Sequence, residues 1–288
     1  MKAGQGRVLS LLFLTAALLL PACSGQPEEE APLEEALRGV LTVRAGNQLQ
    51  RDILPQLAEI YGISLQEAEA AASAVGDSSL IAPGLQGPRR LEGILRPGEY
   101  EIPEGLPLEA LLKSFLEEAE LRYQRLLKTV VNPNALSPYQ VLILASIIEA
   151  ECLGGEFHKE TAAVFLNRLA AGMKLQSCVT AEYALGYARP YLTGEDVSLP
   201  SPWNTYYAQG LPPSPICVAG EESLAAAMGV SQDPALLYFY YDYLQGEMFF
   251  FSDYLKFQEA GAKSREAFLK ESPVGLREQI SKDSLYRR

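Results

Sequence analysis

Two carboxylates, Glu149 and Glu151, follow an apolar run that extends from Val141 to Ile148, with Ser146 as its one polar residue. Apolar surroundings disfavour the charged form of a carboxyl group and raise its pKa. A carboxylic acid that keeps its proton near neutral pH is what acid-catalysed cleavage of a glycosidic bond requires. The run therefore indicates that Glu149 is a general acid. The alternative is a helix-end carboxylate that faces water, and Glu151 either orients such a site or is a solvated surface residue.

The sequence offers little for chemistry based on a metal or on a histidine-activated nucleophile. His158 is the only histidine, and spacings of the CxxC or HxxxH type are absent. Because zinc sites use such clusters, we predict neither a metal site nor another cofactor. No nucleophile elbow lies near His158, which we place on the surface at the start of a helix.

The composition is that of an acidic chain with enough apolar residues for a real core. Among 288 residues, 36 are Asp or Glu and 24 are Lys or Arg, which gives a formal net charge of −12. Nucleic acids and anionic membrane surfaces attract basic patches, so this charge argues against both as partners. A polysaccharide that is bound by hydrogen bonds and stacking is compatible with it. The apolar share of 48% is typical of a folded protein.

The first residues resemble an export signal that ends in a lipidation site. Lys2 and Arg7 flank the start of an apolar stretch, residues 8–20, that is too short to span a bilayer. Leu20-Pro21-Ala22-Cys23 then resembles a bacterial lipobox. We predict that residues 1–22 are a signal peptide, that Cys23 carries lipid, and that residues 23–38 are an acidic tether. The alternative is an ordinary signal peptide followed by a chance cysteine.

The lipobox interpretation predicts an extracytoplasmic protein that is lipid-anchored to the bacterial cell membrane. No other segment approaches the length of a membrane span.

Periodicity and capping signals predict an α+β chain in which helices dominate. Helices are expected over residues 50–61, 64–74, 106–129, 158–171, 222–228 and 254–269, and a further helix that begins at Ser137-Pro138 carries Glu149. Strands are expected over residues 39–45, 235–243 and 247–251. The helix with Glu149 should therefore lie beside a small sheet.

Residues 175–220 are rich in proline after Ala188 and are predicted to be irregular. Long loops in a compact domain are usually functional or disordered, and aromatic residues argue against disorder here. Cys178 and Cys217 flank this region. We predict that they form a disulfide that closes the loops and that Cys152 stays free, although spacing alone does not fix the connectivity.

Eight short motifs occur in a fixed order along the chain. They are Leu91-Glu92-Gly93 with Pro97 and Tyr100; Leu144-Ala145-Ser146-Ile147-Ile148-Glu149; Val164-Phe165-Leu166-Asn167-Arg168-Leu169; Gly172-Met173 with Leu175-Gln176-Ser177; Thr180 with Tyr183; Asn204-Thr205-Tyr206; Gly210-Leu211-Pro212-Pro213; and Tyr238-Phe239. In this order, over about residues 40 to 270, they resemble the YceG-like family of endolytic murein transglycosylases. Each motif alone is weak, whereas eight in register are specific.

The resemblance implies a substrate and a reaction. Family members are attached to the bacterial cytoplasmic membrane and cut glycan strands of nascent peptidoglycan internally, between N-acetylmuramic acid and N-acetylglucosamine. The muramyl 6-hydroxyl closes on C1 of its own sugar, so this lyase reaction gives a 1,6-anhydro end without water and limits strand length. Peptidoglycan synthases are further expected partners. The family's catalytic glutamate falls on Glu149, and its second motif glutamate falls on Glu151. One carboxyl group of raised pKa suffices, unlike the pair of a hydrolase.

The resemblance also implies substrate-binding residues. Gln176, Asn204 and Tyr206 are expected to contact the N-acetyl and hydroxyl groups of the sugars, with Trp203 as a stacking surface. The residues alone leave other roles open. Gln176 could satisfy backbone groups of its loop, Asn204 could form an Asx turn, and Trp203 and Tyr206 could be loop anchors.

The family pattern predicts three parts after the tether: a truncated LysM-like subdomain at 39–90, a YceG-like catalytic domain at 91–272 and a polar tail at 273–288. The sequence departs from that pattern at several positions. Met248 and Phe257 stand where the family usually has histidines, Cys178 replaces an aspartate, and Val218-Ala219-Gly220 replaces Asn-Pro-Gly. The departures keep an alternative open, in which a lipoprotein of this family binds peptidoglycan but has lost its activity.

Overall fold

The computed structural model describes residues 36–81, 84–129, 134, 136–152, 156–188, 191–229 and 233–271. The predicted signal peptide, the lipidation site Cys23, most of the tether and the polar tail lie outside the described residues.

Helices are the predominant regular elements of this part of the chain. They are α1 (Leu54–Tyr61), α2 (Leu65–Ala74), α3 (Leu108–Thr129), α4 (Pro138–Cys152), α5 (His158–Ala170), α6 (Cys178–Leu185), α7 (Gly194–Val197), α8 (Glu221–Met228) and α9 (Tyr254–Glu271). The strands are β1 (Leu37–Val43), β2 (Gly98–Pro103), β3 (Tyr238–Asp242) and β4 (Glu247–Phe251), and they form two separate antiparallel pairs. A π-helical turn, Leu49–Ile53, precedes α1, and a 3₁₀ turn, Pro88–Leu91, precedes β2. The α+β class is confirmed.

Capping residues explain where several helices start. At α2, the Ser64 side chain accepts from the Glu67 backbone N–H, and the Glu67 carboxylate accepts from the Ser64 N–H, which is the predicted capping box. Ser137 and Gln140 form the same reciprocal pair at the start of α4, with N–H···O distances of 3.2 and 2.8 Å. The predicted start of the helix that carries Glu149 is therefore confirmed.

Helices α6 and α7 lie inside the region that was predicted to be irregular. α6 has no side-chain cap and is buried along most of its length, so it shows no amphipathic period. α7 is a single turn that is held by a capping box of Thr193 and Asp196. The T-x-x-D signal was present in the sequence, but the surrounding prolines favoured a loop.

β1, α1, α2 and β2 form what we call the N-terminal unit, residues 36–103. β1 pairs antiparallel with β2, so that Val43 lies opposite Gly98 and Leu37 lies opposite Pro103. α1 packs on β1 and on α2. The predicted boundary between residues 90 and 91 is wrong as the end of this unit, because it separates two paired strands. The LysM-like character of the unit stays a prediction.

α4 is the central helix of the remainder. Nearly all of its residues are buried, and it packs against α5, α6 and α8. Apart from Ser146, the run from Val141 to Ile148 is apolar on every side of the helix, which suits a helix that is surrounded by protein. Each buried leucine or isoleucine contributes about 1.5–3 kcal/mol relative to an exposed one. α4 therefore fixes the position of Glu149 firmly.

The β3–β4 hairpin is inserted between α5 and α9. On one face Phe239 packs edge-on against Phe165 of α5, with ring centroids 5.6 Å apart. On the other face Tyr238 stacks on Phe257 of α9 at 5.4 Å. The Arg168 guanidinium ties α5 to this hairpin, because it donates to the Leu237 carbonyl at 2.6 Å and to the Leu175 carbonyl at 2.6 Å.

Within the described ranges, every helix is either too short or too polar to cross a membrane.

Candidate active site

The Glu149 side chain is half-buried and points toward the start of α8. Its Oε2 accepts two hydrogen bonds, from the Gly220 backbone N–H at 2.9 Å and from the Ser223 hydroxyl at 2.7 Å. Among the described residues, no donor reaches the other oxygen, Oε1. We call Gly220, Ser223 and the start of α8 the Glu149 cradle. One carboxylate oxygen is fixed by the cradle, and the other is available to a ligand.

The backbone around Gly220 explains how the cradle approaches so closely. Gly220 is the N-cap residue of α8, whose first N–H groups are free to bind an anion. A Cβ atom on Gly220 would lie only 3.2 Å from Glu149 Oε2. Glycine therefore lets the helix N-terminus meet the carboxylate directly.

The segment that leads to Gly220 is held from two sides. The Gly46 N–H donates to the Val218 carbonyl, and the Val218 N–H donates to the Asn47 carbonyl, both at 2.8 Å. From α4, the Ser146 hydroxyl accepts from the Ile216 N–H at 3.0 Å. A turn of the N-terminal unit therefore lies directly beside the cradle, and Ala45 comes within 3.9 Å of the position that a Gly220 Cβ would take.

Gly93 adds a further tight contact to this segment. It has φ of +72°, and a Cβ there would lie 2.6 Å from Pro215 Cβ and 2.8 Å from the Cys217 carbonyl oxygen. A side chain at Gly93 would push the segment away, so the glycine of the Leu91-Glu92-Gly93 motif is a packing requirement.

Glu151 faces a different neighbour. Two residues along a helix are about 200° apart around its axis, so Glu149 and Glu151 lie on nearly opposite sides of α4. Glu151 Oε1 accepts from the Ser177 hydroxyl at 2.6 Å, at the start of α6. The two carboxylates are therefore held by separate elements and do not form a pair.

Gln176 lies in the loop just before α6 and has an exposed side chain. Its φ of +50° is unusual for a residue other than glycine. The backbone N–H donates to the Thr205 carbonyl at 3.2 Å, so the loop is organised by the main chain. The side chain is left available, which agrees with the predicted substrate contact.

The structure contradicts the predicted substrate contact of Asn204. This residue is fully buried, and its amide nitrogen donates to the Val197 and Leu199 carbonyls at 3.0 and 2.9 Å. Its Oδ1 accepts from the Tyr206 N–H at 3.0 Å, as in an Asx turn. The amide organises the loop, and the family motif alone could not distinguish this role from substrate binding.

Cys178 and Cys217 do not form the predicted disulfide, and Cys152 is also free. Cys217 is buried against α4, where its Sγ lies 3.2 Å from the Ser146 carbonyl. Cys178 is exposed at the start of α6, with its Sγ 3.1 Å from the Tyr206 hydroxyl. The prediction was wrong because the two sulfurs have different neighbours, Ser146 of α4 for Cys217 and Tyr206 for Cys178, although both cysteines flank the same region of the sequence.

Tyr206 joins the side of the site that faces Glu151. Burial, and then the neighbouring Cys178 and Glu151, raise the pKa of its hydroxyl well above the ordinary value. The hydroxyl is therefore a neutral hydrogen-bonding group. Glu151 and Tyr206 lie around the start of α6, next to the loop that carries Gln176, and their role toward a substrate stays a prediction.

Trp203 is half-buried at the junction with the N-terminal unit. Its Nε1 donates to the Ser214 hydroxyl at 2.8 Å, and the Arg89 guanidinium lies 4.7 Å from its ring centroid. Tyr183 packs nearby, with ring centroids 6.3 Å apart. The ring is thus engaged by protein groups, which fits the loop-anchor interpretation better than the stacking one.

Glu92 is a buried carboxyl group that the sequence patterns gave no role. It is 1% exposed, its Oε1 accepts from the Leu49 N–H at 2.8 Å, and its Oε2 accepts from the Tyr183 hydroxyl at 3.1 Å. Burial raises the pKa of Glu92 to about 7 despite these two donors and the Arg89 guanidinium. The motif contains Glu92, but no sequence signal shows that its partners come from α6 and from the π-helical turn.

Ser223 was also missed, because it is one serine in a short helix and its partner lies on α4. His158 was misplaced: it is 8% exposed, and its Nδ1 lies 3.7 Å from Glu222 Oε2. No group of three or more metal-ligating side chains occurs within the described ranges.

Met248 and Phe257, which stand where the family usually has histidines, both pack against neighbours of the hairpin region, Met248 buried and Phe257 half-buried. Met248 is buried, with its Sδ 3.9 Å from the Thr161 hydroxyl of α5. Phe257 stacks on Tyr238. In this chain the two positions stabilise the contacts of the hairpin with α5 and α9.

Fold and site together describe an α+β protein with one half-exposed carboxylate that is held at a helix N-terminus. Comparison with known sequences identifies the family of this chain. The sequence model of the YceG-like family matches residues 28–263, and the chain belongs to that family.

Relatives and a solved structure agree with this assignment. A protein from Bacillus subtilis strain 168 that is named endolytic murein transglycosylase is 34% identical over 139 residues, which are 48% of this chain and 38% of that protein. A protein of the same name from Streptococcus pneumoniae strain D39 is 30% identical over 214 residues, which are 70% of this chain and again 38% of that protein. The chain therefore matches well under half the length of these relatives. The crystal structure of a YceG-like protein from Listeria monocytogenes matches with a TM-score of 0.67 at 24% identity, over 77% of this chain and 75% of that one.

Proposed function

We propose that this chain is an endolytic murein transglycosylase, which cuts nascent glycan strands between N-acetylmuramic acid and N-acetylglucosamine and leaves 1,6-anhydro ends. The observation that carries the proposal is the geometry of Glu149, with Oε2 bound to Gly220 and Ser223 and Oε1 without a donor among the described residues. The names of the relatives support murein as the substrate and transglycosylation as the reaction, and the bond is the one that the family resemblance implies.

One carboxyl group performs both proton transfers of this reaction. Protonated Glu149 gives its proton to the bridging oxygen as the bond from the muramyl C1 to that oxygen breaks. The resulting carboxylate then accepts the proton of the muramyl 6-hydroxyl as its oxygen bonds to C1. Glu149 regains its proton, and no water is consumed. A second catalytic carboxylate is unnecessary, which agrees with Glu151 being held on another side of α4.

Substrate contacts are assigned to Gln176, Tyr206 and Glu151, the polar residues around Ser177 that the family resemblance implies. Gln176 has an exposed side chain, and Tyr206 and Glu151 lie on the same side of α4 around Ser177. These groups are suited to bind N-acetyl and hydroxyl groups of the sugars. Trp203 contributes to the site mainly by holding the loop.

We further propose that the protein acts outside the cytoplasm, attached to the membrane through lipid on Cys23, and that it works beside peptidoglycan synthases. The support is the lipobox-like sequence at residues 20–23 and the location of nascent glycan strands at the membrane.

The test is to incubate the full-length protein, purified in detergent, with uncrosslinked glycan strands and to identify the products by mass spectrometry. We expect 1,6-anhydromuramyl ends, which are lost in Glu149→Gln and retained in Glu160→Gln, a matched change at an exposed carboxylate of α5. Products with hydrolytic reducing ends would contradict the reaction class.

A peptidoglycan-binding lipoprotein without activity is the second candidate. It is favoured by one observation, the packing of Met248 and Phe257 at positions where the family usually has histidines. Glycan retention without cleavage in the same experiment would support it.

A further inference from the structure

Ser223 is fully buried at the third position of α8, yet its hydroxyl donates to a side chain of a different helix. A serine inside a helix commonly bonds to a carbonyl of the preceding turn. Here the hydroxyl instead reaches Glu149 Oε2 at 2.7 Å, 74 residues away along the chain. This bond joins α8 to the one carboxylate that the proposed reaction uses.

The bond determines which carboxylate oxygen is able to carry a proton. A carboxylate oxygen accepts about two hydrogen bonds through its lone pairs. The Gly220 N–H and the Ser223 hydroxyl fill this capacity at Oε2. A proton placed on Oε2 would have to displace one of these donors, whereas Oε1 has no donor among the described residues. The acid proton therefore belongs on Oε1.

The same two donors act on the second half of the reaction. Once Glu149 has given up its proton, the negative charge faces the N-terminus of α8, where free N–H groups and the helix dipole stabilise anions. Hydrogen bonds to a charged group are also stronger than those to a neutral one. The cradle thus holds the carboxylate in place between the two proton transfers.

We propose that Ser223 is a positioning residue for Glu149: together with the Gly220 amide it fixes Oε2, so that Oε1 delivers and then recovers the proton. The proposal rests on the proposed function, since it assigns a proton path within that reaction. Ser223 does not touch the sugars in this scheme and acts only through Glu149.

Several other ionisable groups lie around the cradle and have to be separated from this effect. Glu221 and Glu222 lie in the first turn of α8, and His158 of α5 lies 3.7 Å from Glu222. Glu151 lies on α4 itself, and Arg44 belongs to the adjacent turn of the N-terminal unit. His158→Gln is therefore measured beside the serine variants, and it should leave the alkaline limb of the pH–rate profile in place.

The test compares Ser223→Ala with Ser223→Thr in the full-length protein, with release of 1,6-anhydro ends as the rate. One hydrogen bond to a charged group corresponds to a loss of about 10- to 100-fold in kcat. For Ser223→Ala we expect this loss with unchanged KM and with an alkaline limb that moves to higher pH, because the carboxylate form loses a donor. Ser223→Thr keeps the hydroxyl and should recover most of the rate. Ser198→Ala, a change at an exposed serine that bonds only to its own helix, is the matched control.

Two results would overturn the proposal. One is a Ser223→Ala protein with the kcat and the pH profile of the wild type. The other is a loss in Ser223→Ala and Ser223→Thr alike, with a lower Tm and an unmoved pH profile, which would mean that Ser223 only supports folding.

If the serine variants fail to fold, Gly220→Ala tests the same contact from the backbone side. Its Cβ would lie 3.2 Å from Oε2 and displace the carboxylate, so a fall in kcat at constant KM is expected and a wild-type rate would count against the proposal.

If the wild type releases no anhydro ends, the proposed function fails, and the cradle is then tested without activity. Titration of the Glu149 carboxyl carbon by NMR should still show a higher midpoint in Ser223→Ala than in the wild type, and equal midpoints would refute the cradle itself.

Discussion

Glu149 and Glu92 each accept two hydrogen bonds, yet the structure prepares them for opposite tasks. Both donors to Glu149 meet one oxygen, at the end of a helix, and the other oxygen has none among the described residues. Glu92 has one donor on each oxygen and is 1% exposed. The first arrangement leaves an oxygen for exchange of a proton with a ligand. The second closes the carboxyl group within the contact between the N-terminal unit and α6. Environment, and not residue type, separates their roles.

The largest effect should come from removing the carboxyl group of Glu149, with the same change at Glu92 as the comparison. Glu149→Gln should lower the rate of 1,6-anhydro release by about 10²- to 10⁴-fold, because no acid remains to protonate the leaving oxygen. Glu92→Gln should keep the rate within a few-fold of the wild type at pH 6. Equal losses in the two variants would erase the distinction between them.

The pH dependence of the free energy of unfolding should reveal the titration of Glu92. Its pKa is raised to about 7 in the folded protein from its ordinary value of 4.5, so between these values the folded state binds a proton that the unfolded state has released. The free energy of unfolding should therefore fall as pH rises from about 4.5 to about 7, by up to about 3 kcal/mol.

Urea denaturation at pH 5, 6, 7 and 8 measures this slope. In Glu92→Gln the contribution of Glu92 should vanish, and the variant should gain stability relative to the wild type at pH 8. A wild type and a variant with parallel profiles would show that Glu92 does not titrate in this range.

The smallest effect should come from removing the Tyr183 hydroxyl of α6, which donates to Glu92. Tyr183→Phe removes the hydroxyl that bonds to Glu92 Oε2 and should cost about 1–2 kcal/mol of unfolding free energy. The cost should be larger at pH 8 than at pH 5, because the lost bond stabilises a charged group at the higher pH. Tyr207→Phe, at a tyrosine that is 55% exposed, is the control and should cost nothing measurable.

The sequence was sufficient to predict helix α4 and the position of Glu149 on it. Its cap at Ser137 and Gln140 is local, and the apolar run needs no partner to be recognised as a buried segment. The Glu149 cradle could not be predicted from the sequence, because Gly220 and Ser223 lie 71 and 74 residues from Glu149 and neither residue type carries a chemical signature of its own. The motif containing Asn204 predicted a contact with sugar where the fold uses a buried turn, because an asparagine suits either role and its partners are ordinary backbone groups of its own loop.

Pairing between β1 and β2 gives the molecule a direction in which it resists force. Leu37, where β1 starts, lies opposite Pro103, where β2 ends, and the far end of β1 leads into the turn that is bonded to Val218. A pull between the chain before Leu37 and the segment before Gly98, which packs through Gly93 on Pro215 and Cys217, acts on the two strands from opposite ends of their ladder. It loads the ladder in shear, so that many hydrogen bonds must break together. A pull between the same chain end and α3 would open the ladder one pair at a time. Part of a force on the segment that leads to Gly220, when it is resisted before Leu37, reaches β2 at Gly98 and therefore acts along the mechanically stronger path.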